Sequence, residues 1–432
     1  MARASTSREC HLFALSDDLL TEMIVPQCRA LMMSRTCSKM RTTMQRANVG
    51  IDVVLTQKCH DIHRVALMAP SGVNALQDNF KIRRFESQST GECVELKFFY
   101  FEELCFMHLR TLRMQQNQIA DMHLVALLHC FTYSSGMITF EFVRQSLKTR
   151  HIPLLAHCLR GFTLLQNLNL EDNFLIFDSL LLLLDAVQTS TLRTLNLASN
   201  SCEDSDKMSS LCRVVEMSAN TIQVLNLAYM RLYKLDIVHL VHVLEMCDQL
   251  QALDLSQNNL TYDTLIDVLH ALRDKPIQKF KWGGNRLGAA GTFVLTDYMT
   301  HNETWRRSLQ ELDLRFCEVY GGMQHLGTVL QGCHALQTLD ISHNLVYAHV
   351  AANLLQCSCI ASLNLHNTHM SDFGMQLIIQ TAAQSSSIKK LEVTGNHMSA
   401  STIKRLGHLK RTKKIKMEIP RQHCGCGTCR YL

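Results

Sequence analysis

Proline is almost missing from this chain: 5 in 432 residues, alongside 18 glycines. So few breakers leave little room for long flexible linkers. Aromatic residues are also sparse, at 6% with two tryptophans, so few large interface anchors are available. Long apolar runs are absent too. The longest uninterrupted leucine run, Leu180 to Leu184, is far short of the roughly 20 apolar residues that span a bilayer. No membrane span is expected. The opening residues, MARASTSRECHL, lack the apolar core of a secretory signal. Their Arg and Ser content leaves a short mitochondrial presequence as the other targeting reading.

Cysteine is plentiful, at 18, but disulfide frameworks belong to small secreted chains. Cys130, Cys158, Cys247 and Cys333 sit singly in apolar helical patterns, where a reduced thiol acts as a small hydrophobe. A reducing compartment, cytoplasmic or nuclear, follows as the expectation. With 47% hydrophobic and 19% charged residues, the chain has the composition of a folded protein. Its length exceeds one ordinary core, so a repeat array or several domains must be considered.

A repeat is there. LQALDLSQNNL (250–260) has the frame L-x-x-L-x-L-x-x-N-x-L, shared by LQNLNLEDNFL (165–175), LRTLNLASNSC (192–202) and LQTLDISHNLV (336–346). Taking the second apolar position as a marker gives Leu112, Phe140, Leu168, Leu195, Leu225, Leu253, Phe280, Leu312, Leu339, Leu363 and Leu391. Successive markers are 24 to 32 residues apart, mostly 27 or 28. Alternation along a short strand sends the marker and the residue two later into the core, and sends their neighbours outward. An Asn five residues after the marker (Asn117, Asn173, Asn200, Asn258, Asn285, Asn344, Asn396) is expected to turn the chain and satisfy buried backbone groups. Met230, Cys317 and Thr368 replace it, so looser turns are expected there. Each copy closes with a helical face, as in Leu265, Val268, Leu269 and Leu272. One strand and one helix cannot bury their own apolar faces, so the units must stack.

The frame and period resemble the ribonuclease-inhibitor class of leucine-rich repeat proteins over residues 80–419, with Gly291 and Gly374 after the turn as in that family. The resemblance implies an α/β leucine-rich repeat solenoid: a curved horseshoe with parallel strands inside, helices outside, and macromolecular partners on the concave face. Candidate partner-binding residues on that face are Arg113, Glu141, Asn169, Glu171, Asn196, Asn226, Asp254, Lys281, Asp313, Arg315, Asp340, His366 and Glu392. Ala198, Ala228, Ser256 and Gly283 form a small-residue stretch where a partner could approach closely. The competing reading is that these polar positions are simply solvated consensus. Residues 299–308, where the period stretches to 32, are a second candidate binding loop.

No catalytic or phosphate-binding pattern emerges, and His239/His242 and His366/His369 lack a partner at metal-ligand spacing. The chain is read as a non-enzyme with no cofactor and no metal. Residues 404–416, dense in Lys and Arg, read as the polar cap of the last repeat. The alternative there is a patch for nucleic acid or an acidic partner. His423, Cys424, Cys426 and Cys429 read as a tail with free thiols.

Residues 15–44 differ from the repeats. Leu15, Leu19, Leu20, Met23 and Ile24 make one helical stripe. Beyond Pro26, Leu31, Cys37, Met40 and Met44 make another. LSDDLL and CSKM are similar to an F-box, although Ser16 stands where Pro is usual and Met40 where Trp is usual. That resemblance implies docking to a Skp-type adaptor of a cullin ubiquitin ligase through Leu15, Leu19, Leu20, Met23, Ile24, Leu31, Cys37 and Met40. The expected organisation is a flexible stretch 1–14, F-box-like helices or an N-cap 15–48, degenerate early repeats 49–108, repeats 109–419 and a Cys-rich tail 420–432. The expected function is a non-catalytic recognition scaffold, read as the substrate receptor of such a ligase. The alternative is a structural or regulatory scaffold in a larger assembly, with the N-terminal helices only as a cap. Expected partners are proteins, a Skp-type adaptor and a ubiquitination target, with no membrane and no nucleic acid.

Overall fold

The computed structural model describes the backbone of residues 51–55, 64–68, 82–88 and 94–99, and then residues 109–418 apart from 116, 120, 146, 201–207 and 320–321. The F-box-like segment and the Cys-rich tail fall outside them. The chain divides into two compact units, residues 1–222 and 223–432.

In the first unit the elements are β1 (Ile51–Leu55), β2 (Arg64–Met68), β3 (Ile82–Gln88), β4 (Val94–Phe99), β5 (Thr111–Gln115) and β6 (Asn117–Ile119). They continue as α1 (Asp121–Phe131), β7 (Thr139–Val143), α2 (Ile152–Gly161), β8 (Asn167–Asn169), α3 (Phe177–Ala186), β9 (Thr194–Asn196) and α4 (Met208–Met217). Strands β1, β3, β5, β7, β8 and β9 are adjacent and parallel, and the marker residues Leu112, Phe140, Leu168 and Leu195 lie side by side. Val53 and Phe85 extend the same row, which supplies the register that the sequence leaves open between 49 and 108. A second parallel sheet, β2-β4-β6, was not foreseen. Asn117, expected to turn the chain, instead opens β6 and pairs with Val94.

The second unit runs β10 (Val224–Asn226), α5 (Lys234–Glu245), β11 (Ala252–Asp254), α6 (Tyr262–Ala271), β12 (Lys279–Lys281), α7 (Gly288–His301) and α8 (Glu303–Ser308). It continues with β13 (Glu311–Asp313), α9 (Met323–Gln331), β14 (Thr338–Asp340), α10 (Ala348–Leu355), β15 (Ser362–Asn364), α11 (Asp372–Gln384), β16 (Lys390–Glu392) and α12 (Ala400–Lys413). Its seven strands are parallel and consecutive, with Leu225, Leu253, Phe280, Leu312, Leu339, Leu363 and Leu391 in one row. The fold is thus α/β, a leucine-rich repeat array of parallel strands alternating with helices. Every marker is buried, as are Leu265, Val268 and Leu269 on α6 and Leu272 just after it. Among the described residues no helix is long and apolar enough to cross a membrane.

Three-residue strands form few ladder bonds, so the turn that follows must be held in another way. A buried Asn does this. Asn258 Oδ1 accepts the backbone N–H of Met230 at 2.9 Å and of Leu232 at 3.1 Å, both in the preceding repeat. Its Nδ2 donates to the carbonyls of Leu227 and Leu255. Asn285, Asn344 and Asn396 repeat this pattern in the second unit, and Asn200 does so in the first. The residue before this position takes a left-handed φ of 49–60° where it is not glycine, at Arg144, Asp172, Ser199, Tyr229, Gln257, Phe316, His343 and Asn367.

The turns at Met230, Cys317 and Thr368 keep that geometry and are not looser. Each of these residues is followed by a repeat that carries Asn, whose oxygen reaches back to the turn. What Cys317 and Thr368 fail to supply to the repeat before them, the main chain provides: Asn285 N–H donates to the Trp282 carbonyl at 3.3 Å, Leu287 N–H to that of Asn285 at 3.0 Å, and Val346 N–H to that of Thr368 at 3.4 Å.

The stretched repeat is also structural. Residues 299–308 end α7 and form α8, which drives Trp305 to full burial. The indole packs on Phe280 and Tyr298, with ring centroids 5.2 and 5.0 Å away. Asn302 caps α8 by accepting the Trp305 N–H at 3.0 Å. A binding loop is not what the extra residues make.

Replacing Asn258 with Ala strands two buried N–H donors, each costing about 1–3 kcal/mol. We expect a loss of about 2–4 kcal/mol in urea unfolding followed by circular dichroism. An unchanged midpoint would contradict the ladder.

Candidate functional site

The outward strand face is built from the residues flanking each marker. Sequence alternation placed them correctly, since the three-residue strands alternate half-exposed, buried, half-exposed at β8 to β11. Most of the position after the marker, however, is committed to the fold. Asn169, Asn196, Asn226, Asp254, Asp313, Asp340 and Asn364 each use a side-chain oxygen to accept the N–H two residues later, at 3.0–3.1 Å. Glu392 does the same toward Thr394. This closes the strand end, and it explains why Asn and Asp recur there. It also brings the chain over the small residues: Ala198, Ala228 and Ser256 are buried, Ser256 to 1% exposure. The expected open approach at these positions does not exist.

In the first unit Arg113 pairs with Glu141 at 2.9 Å, and Asn196 Nδ2 donates to Glu171 at 2.9 Å. In the second unit Lys281 and Lys279 both reach Glu311, at 2.9 and 3.4 Å. Burial works against the charges of Lys281 and Glu311, but their bond outweighs it. The Lys281 pKa is held up and that of Glu311 down. Gly283 makes space beside them, since a Cβ there would sit 2.7 Å from Asp313 Oδ1 and 2.8 Å from Arg315 Cγ. Arg315 folds into that space and pairs with Asp313 at 3.1 Å.

Beyond Arg315 the face becomes aromatic. Phe316, half exposed, stacks on His343 with centroids 3.6 Å apart, and His343 meets His366 edge-on at 4.8 Å. Thr394 donates its hydroxyl proton to Glu392 at 2.5 Å, so the 2.7 Å contact from His366 Nδ1 is a donated N–H. Asn367 Nδ2 donates to His343 Nδ1 at 3.1 Å. His366 Nδ1 therefore donates where His343 Nδ1 accepts, and each ring's orientation is set by its neighbour. Burial lowers the His343 pKa first, helped by His366 and Arg315 and opposed by Asp340. Phe316, His343, His366 and Asn367, with Arg315 and Asp340, form a pre-ordered ledge of aromatic, imidazole and charged groups. Such a ledge suits an anchor residue of a protein partner.

The chain matches no protein-family model and no curated protein. Solved structures do match. An internalin (inlF) from Listeria monocytogenes is 16% identical, covering 90% of this chain and 96% of that one, with a TM-score of 0.45. Actin-binding site 2 of leiomodin-1 is 15% identical over 33% of this chain and 80% of that one, with a TM-score of 0.29. The tropomodulin C-terminal domain from Caenorhabditis elegans is 18% identical over 34% of this chain and 86% of that one, also at 0.29. At these scores the likenesses carry nothing about function.

Of the anticipated partner residues, Lys281, Asp313, Arg315, Asp340, His366 and Glu392 converge on the second unit's ledge and its approach. Arg113, Glu141, Asn169, Glu171 and Asn196 belong to the first unit. Asn226 and Asp254 are chiefly strand closers. The adaptor set, Leu15, Leu19, Leu20, Met23, Ile24, Leu31, Cys37 and Met40, lies outside the described residues. Phe316 and His343 were missed because they occupy the left-handed position, where strand alternation no longer applies. Their signal was their place four residues after the marker, directly before the position that the repeat Asn or its replacement occupies.

Burial raises the Asp313 pKa to about 6, aided by Asp340 and Asp254 and opposed by Arg315. A raised acid pKa means that the folded state holds the proton longer. Stability from this group therefore falls as pH rises from about 4 to about 6, and stays low above. Asp313→Asn keeps the oxygen that accepts the Arg315 N–H. We expect it to be more stable than wild type by on the order of 1–3 kcal/mol above pH 6 and indistinguishable below pH 4, by urea titration across pH. A variant less stable at pH 7.5 would contradict the burial argument.

Proposed function

We propose that this chain is a non-catalytic protein-recognition scaffold whose second-unit strand face seats a protein partner on the ledge around Phe316, His343 and His366. The observation that carries this reading is the locked state of that ledge. A half-exposed aromatic is stacked on an imidazole whose orientation is set by hydrogen bonds, so little side-chain freedom remains to be lost on binding. The groups are ordered for contact without a covalent role for any of them.

We further propose that the scaffold serves as a substrate receptor in a cullin-type ubiquitin ligase. This finer reading rests on the F-box-like residues 15–44. In it Leu19, Leu20, Ile24, Leu31 and Met40 bury apolar area on a Skp-type adaptor, at about 25 cal/mol per Å² before association costs.

Two measurements test these levels separately. Titrating the full chain with a purified Skp-type adaptor is expected to give saturable binding that Leu19→Asp/Leu20→Asp abolishes. Absence of binding by well-folded wild type would remove the ligase reading alone. For the scaffold itself, a photo-crosslinking residue at position 343 in cells should trap a discrete protein, and one at exposed Gln331 on α9 should not. Equal labelling from both positions would contradict the ledge as the docking site.

A further inference from the structure

The last repeat presents one sign of charge. Residues 389–418 hold nine Lys and Arg against two Glu. Helix α12 buries Thr402, Leu406 and Leu409. Lys404, His408 and Arg411, at i, i+4 and i+7, share the opposite, exposed face with Arg405 beside them. Among the described residues none of the nine cations has an ion pair.

A solvated cap needs polar residues, but it does not need one sign. Elsewhere in the same unit charges of both signs meet: Lys234 bonds Asp263, buried Lys275 lies 3.5 Å from Asp248, and Glu245 sits between His242 and His270. The helix dipole favours Lys410, Arg411 and Lys413 in the last turn of α12. It does not account for Lys404 and Arg405, which precede that turn. Lys390 and Lys416 are bridge partners on neighbouring backbone, an arrangement of like charges that costs stability. The repulsion is retained rather than relieved.

We propose that this basic end is the docking surface for an acidic segment of the partner protein, an inference that rests on the scaffold reading above. Lys390 lies in β16, two residues from Glu392 at the end of the strand face. The basic end thus begins in the last strand of the face, and a segment that reaches Lys404, His408 and Arg411 passes around the last repeat to the exposed side of α12. Residues 389–418 contain no Phe, Tyr or Trp, so the base stacking that single-stranded nucleic acid uses has no platform here. Long-range attraction to carboxylates at this end speeds and orients encounter, and salt weakens it.

The test is fluorescence anisotropy on the full chain with a labelled polyglutamate peptide and, separately, a labelled RNA duplex. Wild type is compared with Lys404→Glu/Arg405→Glu/Arg411→Glu across a salt series. The expected result is peptide binding that exceeds duplex binding, weakens with salt, and falls at least about tenfold in the variant. The variant should melt no lower than wild type, because its charges relieve repulsion. Tighter duplex binding would make this a nucleic-acid surface and overturn the proposal. Binding of neither probe would make it a solvated cap only, and unchanged peptide affinity in the variant would place the acidic contact elsewhere. A crosslink retained at position 343 with any of these failures leaves the scaffold reading standing.

Discussion

A parallel strand of three residues leaves most of its repeat's backbone outside any ladder. That backbone is nevertheless stacked against its neighbours, where water cannot serve it, and unpaired N–H groups there cost free energy. The repeat Asn resolves this. Its oxygen takes two N–H groups of the preceding turn, and its amide gives two bonds to carbonyls on either side. Each repeat that carries the Asn is thereby tied to the one before it by a side chain. The left-handed residue in front of this position, whether Asn or its replacement fills it, accompanies the turn. It is also where the face acquires Phe316 and His343.

The dependence runs one way along the array. Because an Asn serves the turn before it, a repeat can lose its own Asn if the next one keeps it. Met230, Cys317 and Thr368 all meet that condition, with Asn258, Asn344 and Asn396 following. In the turns before Cys317 and Thr368, main-chain carbonyls take N–H groups that a repeat Asn would have taken. Local substitution is therefore compatible with unchanged geometry, and a single sequence frame read copy by copy underestimates the regularity of the turn.

Much of the fold was legible for the same reason. Marker spacing near 28 placed every strand from β5 to β16 except β6, and the period of 3.6 identified the buried faces of the helices. The early strands β1 and β3 were not placed, because Val53 and Phe85 carry no flanking L-x-L frame. The second sheet was invisible because its strands carry no repeat signal. At the site, alternation put Lys281, Asp313, Arg315 and His366 on the strand face, but it gave no sign that Asn226, Asp254 and Asp313 also close the strand end. Polar residues after a marker look the same in sequence whether they face a partner or close a strand. Only the hydrogen bonds separate the two.

These separations change what the strand face can do. With its small residues covered and most of its amides committed, the face keeps charge and aromatic surface from Lys281 to the His343–His366 pair, which is where the proposed recognition lies. The scaffold reading follows from that concentration, and its rigidity comes from the Asn ladder beneath.

The ladder is tested most directly by hydrogen–deuterium exchange resolved to single amides on the full chain. The account predicts slow exchange at Met230, Leu232, Leu260, Cys317, Val319, Thr368 and Met370, whose N–H groups end on an Asn oxygen, recurring with the repeat period. Exchange there as fast as at solvent-facing turn amides would contradict it.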